Sequence, residues 1–214
     1  MRNTLTVMLA LILASGGIAG ASTPTAGQIL SHVQQSYQAI DDYVADVRVI
    51  TDIAHFEVPP RSFTVYVKRP DKVNIESDSL VVIPKDVLLL GNIEGHLAKA
   101  GRIILNGVTH RQRRKIYCLK FFPNDPDRRD RVLLWVDAER YTLSRTELWA
   151  GLNRLLTVYW EHTHVDDKYW LPTEVKCEIS GGILGAGRPG TVTVSFSGYR
   201  INTGLSDELF GAQE

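Results

Sequence analysis

The chain has 214 residues, 24 basic side chains against 24 acidic ones, and 44% apolar residues. Balanced charge argues against a nucleic-acid binder, which shows a basic face, and supplies no long-range attraction to anionic lipid. The apolar content excludes a disordered chain, and the length fits one domain with its own core.

The first residues carry a targeting signal. Arg2 is a positive start, Leu5 to Leu13 is apolar apart from Thr6, and Ala19-Gly20-Ala21 places small residues where a signal peptidase reads. That order predicts a secretory signal peptide over residues 1–21, cleaved after Ala21. The run is shorter than the roughly 20 apolar residues of a permanent span. No Cys follows the cleavage point, so no lipid anchor is expected there. The expected mature protein is a single domain over residues 22–214 in the periplasm.

Next comes a helix. Thr23-Pro24 offers an N-cap and a first helical residue, and Ile29, Leu30, Val33, Tyr37 and Ile40 recur every three or four positions up to Asp41-Asp42. The period then changes to two. Tyr43, Ala45, Val47, Val49 and Ile53 alternate with polar residues, with Val44 and Ile50 as exceptions. Phe63, Val65 and Val67 form a second strand stopped by Pro70, and Val73 and Ile75 begin a third. Residues 115–122, 131–137 and 141–149 read as strands. So do the stretches holding Leu156, Val158 and Trp160, then Val175, Cys177 and Ile179, then Val192, Val194 and Phe196. Asn124 to Asp127 reads as a turn, and the glycine-rich run 181–190 as a flexible hairpin loop.

One segment interrupts this meander. Val87, Leu88, Leu89, Leu90, Ile93, His96 and Leu97 lie between Pro84 and Ala100 at helical spacing, with Pro84 to open a helix and Gly101 to close it. Alternating strands imply a sheet with one wet and one dry face, and this apolar helix is the expected cover for the dry one.

Motifs for chemistry are missing. There is no Gly-x-Ser-x-Gly, no Cys-x-x-Cys and no phosphate loop ahead of a helix. That disfavours an enzyme, and no cofactor is expected. Cys118 and Cys177 are either two buried thiols or one bridge, which spacing does not decide. His162 and His164 share a strand face but lack the further ligands a metal site needs. The basic clusters at Arg111 to Lys115 and Arg128 to Arg131 read as solvated turns.

At Phe63-Thr64-Val65-Tyr66-Val67-Lys68-Arg69-Pro70-Asp71-Lys72-Val73 the chain resembles the periplasmic lipoprotein carriers of the LolA type. That family pairs a signal peptide and leading helix with a strand ending in Lys-Arg-Pro. The close of the chain, Ile201-Asn202-Thr203-Gly204-Leu205 with Leu209-Phe210, is similar too. The resemblance implies a mainly β, α+β fold: a strongly curved antiparallel sheet forming an incomplete β-barrel, covered by an N-terminal helix and an inserted lid helix. It implies a cavity for acyl chains and gives Arg69 the role of a latch, hydrogen-bonded to lid carbonyls when the cavity is empty. The apolar residues expected to line that cavity are Val47, Val49, Phe63, Val65, Val67, Leu88, Leu89, Val175, Val192 and Val194.

The leading expectation is a monomeric periplasmic carrier of lipids or acylated lipoproteins, handing cargo between a membrane transport complex and an outer-membrane acceptor. The alternative is a lipid-sensing signalling module of the RseB type. An apolar slot alone would suffice for either, since each buried methylene contributes about 0.8 kcal/mol before ordering costs.

Overall fold

The computed structural model describes residues 23–54, 58–77, 88, 100–124, 130–184 and 188–211. Helix α1 spans Ala26–Tyr37. Its N-cap is Thr25 rather than Thr23. The reason is a capping box: the Thr25 hydroxyl accepts from the Gln28 amide while the Gln28 side chain accepts from the Thr25 amide. The helix stops at Tyr37, short of Ile40, although Ile40 is buried with Ile29, Leu30 and Val33.

Ten antiparallel strands follow. They are β1 (Asp42–Asp52), β2 (Arg61–Lys68), β3 (Lys72–Glu76), β4 (Ala100–Arg111), β5 (Arg114–Pro123), β6 (Arg131–Asp137), β7 (Leu143–Ala150), β8 (Asn153–Val165), β9 (Tyr169–Ile179) and β10 (Gly190–Ile201). They form one open sheet in the order β3-β2-β1-β10-β9-β8-β7-β6-β5-β4, so β3 and β4 are its edges. Between β9 and β10, Gly181–Leu184 makes a single helical turn, α2, where a flexible loop was expected. Asp207–Phe210 closes the described chain as a 3-10 turn.

Strand β4 is the element that the alternation did not reveal. It is an edge strand, mostly exposed, with register shifts against β5 between Ala100 and Arg102 and between Leu105 and Gly107. Each irregularity breaks the period of two. Ala100 and Gly101 belong to this strand, so the helix expected over 84–100 does not reach Ala100 and Gly101 does not terminate it. The rest of that segment, apart from Leu88, lies outside the described residues, as do the signal peptide and most of the turn expected at Asn124–Asp127.

The sheet curls. Helix α1 packs against both β4 and β9, which stand five places apart in the strand order. On a flat sheet those strands would be about 24 Å apart, farther than the roughly 18 Å length of a twelve-residue helix. The inner face holds one hydrophobic cluster that draws residues from α1 and from β1, β2, β3, β5, β6, β7, β8, β9 and β10. Val44 departs from the alternation and is buried, while Ile50 is exposed. The irregularity beside Val44 lies in the β1–β10 pairing, where β10 carries one extra residue. Gly198 there has φ +61°, and a Cβ on it would meet Asp46 Oδ2 at 2.7 Å, so only glycine fits.

The two ends of the sheet differ. At the helix end, strands join through the short turns 69–71, 112–113, 138–142 and 166–168, beside the C-terminus of α1. At the opposite, loop end lie the connections 53–60, 77–99, 124–130 and 180–189, together with the two-residue turn Gly151-Leu152.

Candidate functional site: the closed inner face

Cross-strand rows build the inner wall. Val47 lies opposite Phe63 on β2 and Phe196 on β10, Ala45 opposite Val65, and Tyr43 opposite Val67. Val49 faces Val194, which faces Val175 on β9, and Val192 faces Cys177. Val47, Phe63, Val65, Val67, Val175 and Val194 are buried in the cluster, and Val49 and Val192 are partly buried against it. The eight strand residues singled out in the sequence therefore share one surface. Leu88 joins them, fully buried; Leu89 lies outside the described residues.

Leu88 also meets the helix end of the sheet: the Tyr43 hydroxyl, on the second residue of β1, donates to the Leu88 carbonyl. Beside it, Tyr199 donates to the Pro172 carbonyl at 2.7 Å, and the Tyr43 and Tyr199 rings lie 5.7 Å apart. Burial pushes the Tyr37, Tyr43 and Tyr199 hydroxyls well above their ordinary range, so all three stay neutral.

Arg69 binds the end of α1. Its Nη1 donates to the Tyr37 carbonyl, on the last residue of α1, at 2.6 Å, and its own amide donates to the Asp41 carbonyl at 2.9 Å. A cation on a helix C-terminal carbonyl satisfies an orphan acceptor and complements the helix dipole. The carbonyl it holds belongs to the leading helix; any bond to the segment after β3 falls outside the described residues.

A second fastening was not anticipated. Asp42 is 4% exposed, and its carboxylate accepts from the Thr203 amide at 2.7 Å, the Thr203 hydroxyl at 3.0 Å, the Gly204 amide at 2.9 Å and the Leu205 amide at 3.2 Å. Burial by itself would raise its pKa; the donors from Thr203, Leu205 and Gly204 outweigh that and hold it below the usual range. Asn202, at φ +55°, receives the Asp41 amide and donates to the Ala39 carbonyl, both at 2.8 Å. The signal was available: Asp41-Asp42 read as a helix stop, and Asn202-Thr203-Gly204 is turn chemistry. Only the fold brings them together across 160 residues of sequence separation. Further along, Lys68 and Lys72 both reach Asp207, at 2.6 and 3.1 Å, pinning the tail to β2 and β3.

The outer face is built differently. Glu147 is 3% exposed between Arg145, the Trp149 indole at 2.9 Å and Arg154 at 3.5 Å. Arg145 lies over the Trp135 ring and Arg131 over Trp149. At the loop end, a hollow of about 860 Å³ separates the turn carrying Leu152 from α2, with Thr157 and Glu178 in its lining. Leu152 there is 90% exposed.

The remaining candidates fall away. Cys118 and Cys177 are both free thiols, on strands separated in the sheet by β6, β7 and β8. His164 stacks on Trp170 with ring centroids 4.8 Å apart, while His162 is half-buried, and desolvation with the field of Arg140 lowers its pKa to about 4 against the opposing pull of Asp137. Among the described residues no group of His, Cys, Asp and Glu could hold a metal ion, and no helix is long and apolar enough to cross a membrane.

No family model and no curated protein matches the sequence. Solved structures do match in shape. A domain from Vibrio parahaemolyticus named for outer membrane lipoprotein sorting has a TM-score of 0.64 at 15% identity, covering 86% of this chain and 95% of its own. A LolA superfamily protein from Nitrosomonas europaea has a TM-score of 0.59 at 14% identity, covering 88% of this chain and 98% of its own. The chain has the LolA-type fold. A DUF1329 family protein from Desulfovibrio piger shares it at a TM-score of 0.62 and 15% identity, covering 89% and 98%. Within the LolA-type fold, the open sheet, α1 and the Arg69-Pro70 turn stand in the order that the sequence resemblance implied.

Proposed function

We propose that this protein is an exported, periplasmic carrier that takes the acyl chain of a lipid or lipoprotein onto the inner face of its sheet and releases it towards the outer membrane. The observation that carries this reading is the inner wall itself: apolar across nearly the whole sheet, with α1 and Leu88 packed on it among the described residues. The name of the Vibrio domain, lipoprotein sorting, fits the same reading.

The described state is the closed one. Val65 and Val175 are fully covered, so a guest must displace what packs on them. The cost of opening is repaid by the guest: a sixteen-carbon chain gives roughly 12 kcal/mol gross at about 0.8 per methylene. Arg69 and Asp42 secure the helix end, which directs opening to the loop end. Such work requires no nucleophile and no cofactor, in keeping with a binding protein rather than an enzyme.

Native mass spectrometry of the protein taken from its own periplasm tests the proposal. The expected species is the chain beginning at Ser22 with a lipid or lipoprotein attached. A chain that carries no lipid, and that also fails to take up a fluorescent fatty acid after purification, would overturn it. A stable complex with a membrane-protein ectodomain instead of lipid cargo would favour the signalling role.

A further inference from the structure

The inner wall is apolar, but two ring nitrogens on one of its strands are left without partners. Trp160 Nε1 and His162 Nε2, both on β8, are buried with no hydrogen bond among the described residues. Trp160 belongs to the inner cluster at 9% exposure. The irregularity in the β8–β9 pairing follows Glu161; beyond it Thr163 and Val165 lie opposite the cluster residues Leu171 and Tyr169, so of the two only Trp160 is assigned to the inner face. Opposite them on β9 stand Val175 and Pro172, and the Pro172 carbonyl is already taken by Tyr199.

An indole N–H in such a place needs a reason. A buried donor without an acceptor forfeits the hydrogen bond it made with water, a real cost that phenylalanine would avoid while filling similar space. Two other polar groups of the inner face are satisfied internally, the Tyr43 hydroxyl by Leu88 and the Tyr199 hydroxyl by Pro172. Among the described residues Trp160 is thus a polar spot on a dry wall. What an N–H donor on an apolar wall recognises is an acceptor at the end of an apolar chain.

We propose that Trp160 forms a station for the carbonyl-bearing end of an acyl ligand, with its Nε1 donating to the carbonyl oxygen of the ester, amide or carboxyl group. This rests on the carrier reading and sharpens it. The wall would hold any alkyl chain through area, but it would select chains that end in an acyl carbonyl and would set how deep the chain sits. The orphaned donor is satisfied only in the loaded state, so the contact favours loading over the closed, empty form.

The test compares two ligands of equal heavy-atom count, methyl dodecanoate and pentadecane, as competitors of the carbonyl-free probe N-phenylnaphthylamine on the mature chain. Wild type should prefer the ester. Trp160→Phe should weaken the ester roughly three- to tenfold, the range of one hydrogen bond, and leave the alkane unchanged. In parallel, the Trp160 indole N–H resonance of the wild-type protein should move downfield with the ester and not with the alkane, a readout that needs no variant to fold. Equal changes for both ligands in Trp160→Phe, or an indole resonance that responds alike to both, would overturn the station while leaving the carrier reading intact. A wild-type protein that binds neither ligand nor the probe would overturn both.

Discussion

The inner and outer faces of the sheet are made by alternate residues of the same strands, yet they are stabilised by opposite means. On β7 and its neighbours the outer side rests on Arg145, Glu147, Trp149 and Trp135, a lattice of ion pairs and cation–ring contacts that can remain in water. The inner side rests on Val, Phe and Leu, which are stable only when something covers them. A face that satisfies itself can stand as a fixed wall. A face that depends on a cover can exchange one cover for another, and that is the property a carrier needs. The helix end is where Arg69 holds the end of α1 and Asp42 holds residues 203–205.

The sharpest way to break this comparison is a charge on the inner side. Val65→Glu, at a position with no exposure between Ala45 and Ile75, should abolish uptake of a fluorescent fatty acid, because an unpaired buried carboxylate costs several kcal/mol. Should that variant not fold, Val192→Phe, at a partly buried position, should lower uptake by bulk alone. Full uptake by a folded Val65→Glu protein would mean that the ligand lies elsewhere.

At the helix end, Asp42→Ala removes the acceptor of four hydrogen bonds and should cost about 3 kcal/mol or more in chemical denaturation. Because the Asp42 pKa is lowered on folding, its contribution is present above the ordinary carboxylate pKa and is lost as pH falls through the lower folded value. The stability of the variant should therefore be flatter than wild type across that acidic window.

Arg69→Leu tests whether the tie is a latch. The Tyr37 carbonyl loses its charged donor, a contact of about 1.5–3 kcal/mol. If α1 moves on loading, only the closed state loses that contact, so apparent lipid affinity should rise about ten- to a hundredfold, seen as a slower off-rate. Equal off-rates would leave Arg69 as a helix cap only. The smallest effect is expected outside: Glu147→Gln should cost about 1–2 kcal/mol by weakening its two arginine contacts and leave fatty-acid affinity untouched. A change in affinity there would show that the two faces are not independent.

Nine of the ten strands were legible because one face of each is dry, and dryness on alternate residues leaves a period of two. Strand β4 was not, since two irregularities break its period and only Ile103 and Leu105 on this exposed edge pack against the inner cluster. Helix α1 was legible from its stripe, but its start waited on the Thr25–Gln28 capping box and its end on packing. The lining valines could be named because alternation assigns them to a side. The meeting of Asp42 with Thr203 and Gly204, the grip of Arg69 on Tyr37 and the bond from Tyr43 to Leu88 could not.

By itself the sequence determined a leading helix, a succession of antiparallel strands and the side on which each inner residue falls, because those follow from local periodicity and turn chemistry. Only the tertiary structure decided that α1 packs on the inner face, where its end is held, and that the Trp160 indole has no partner among the described residues. Those depend on which distant segments meet when the sheet curls, and periodicity within one segment carries no information about its neighbours in space.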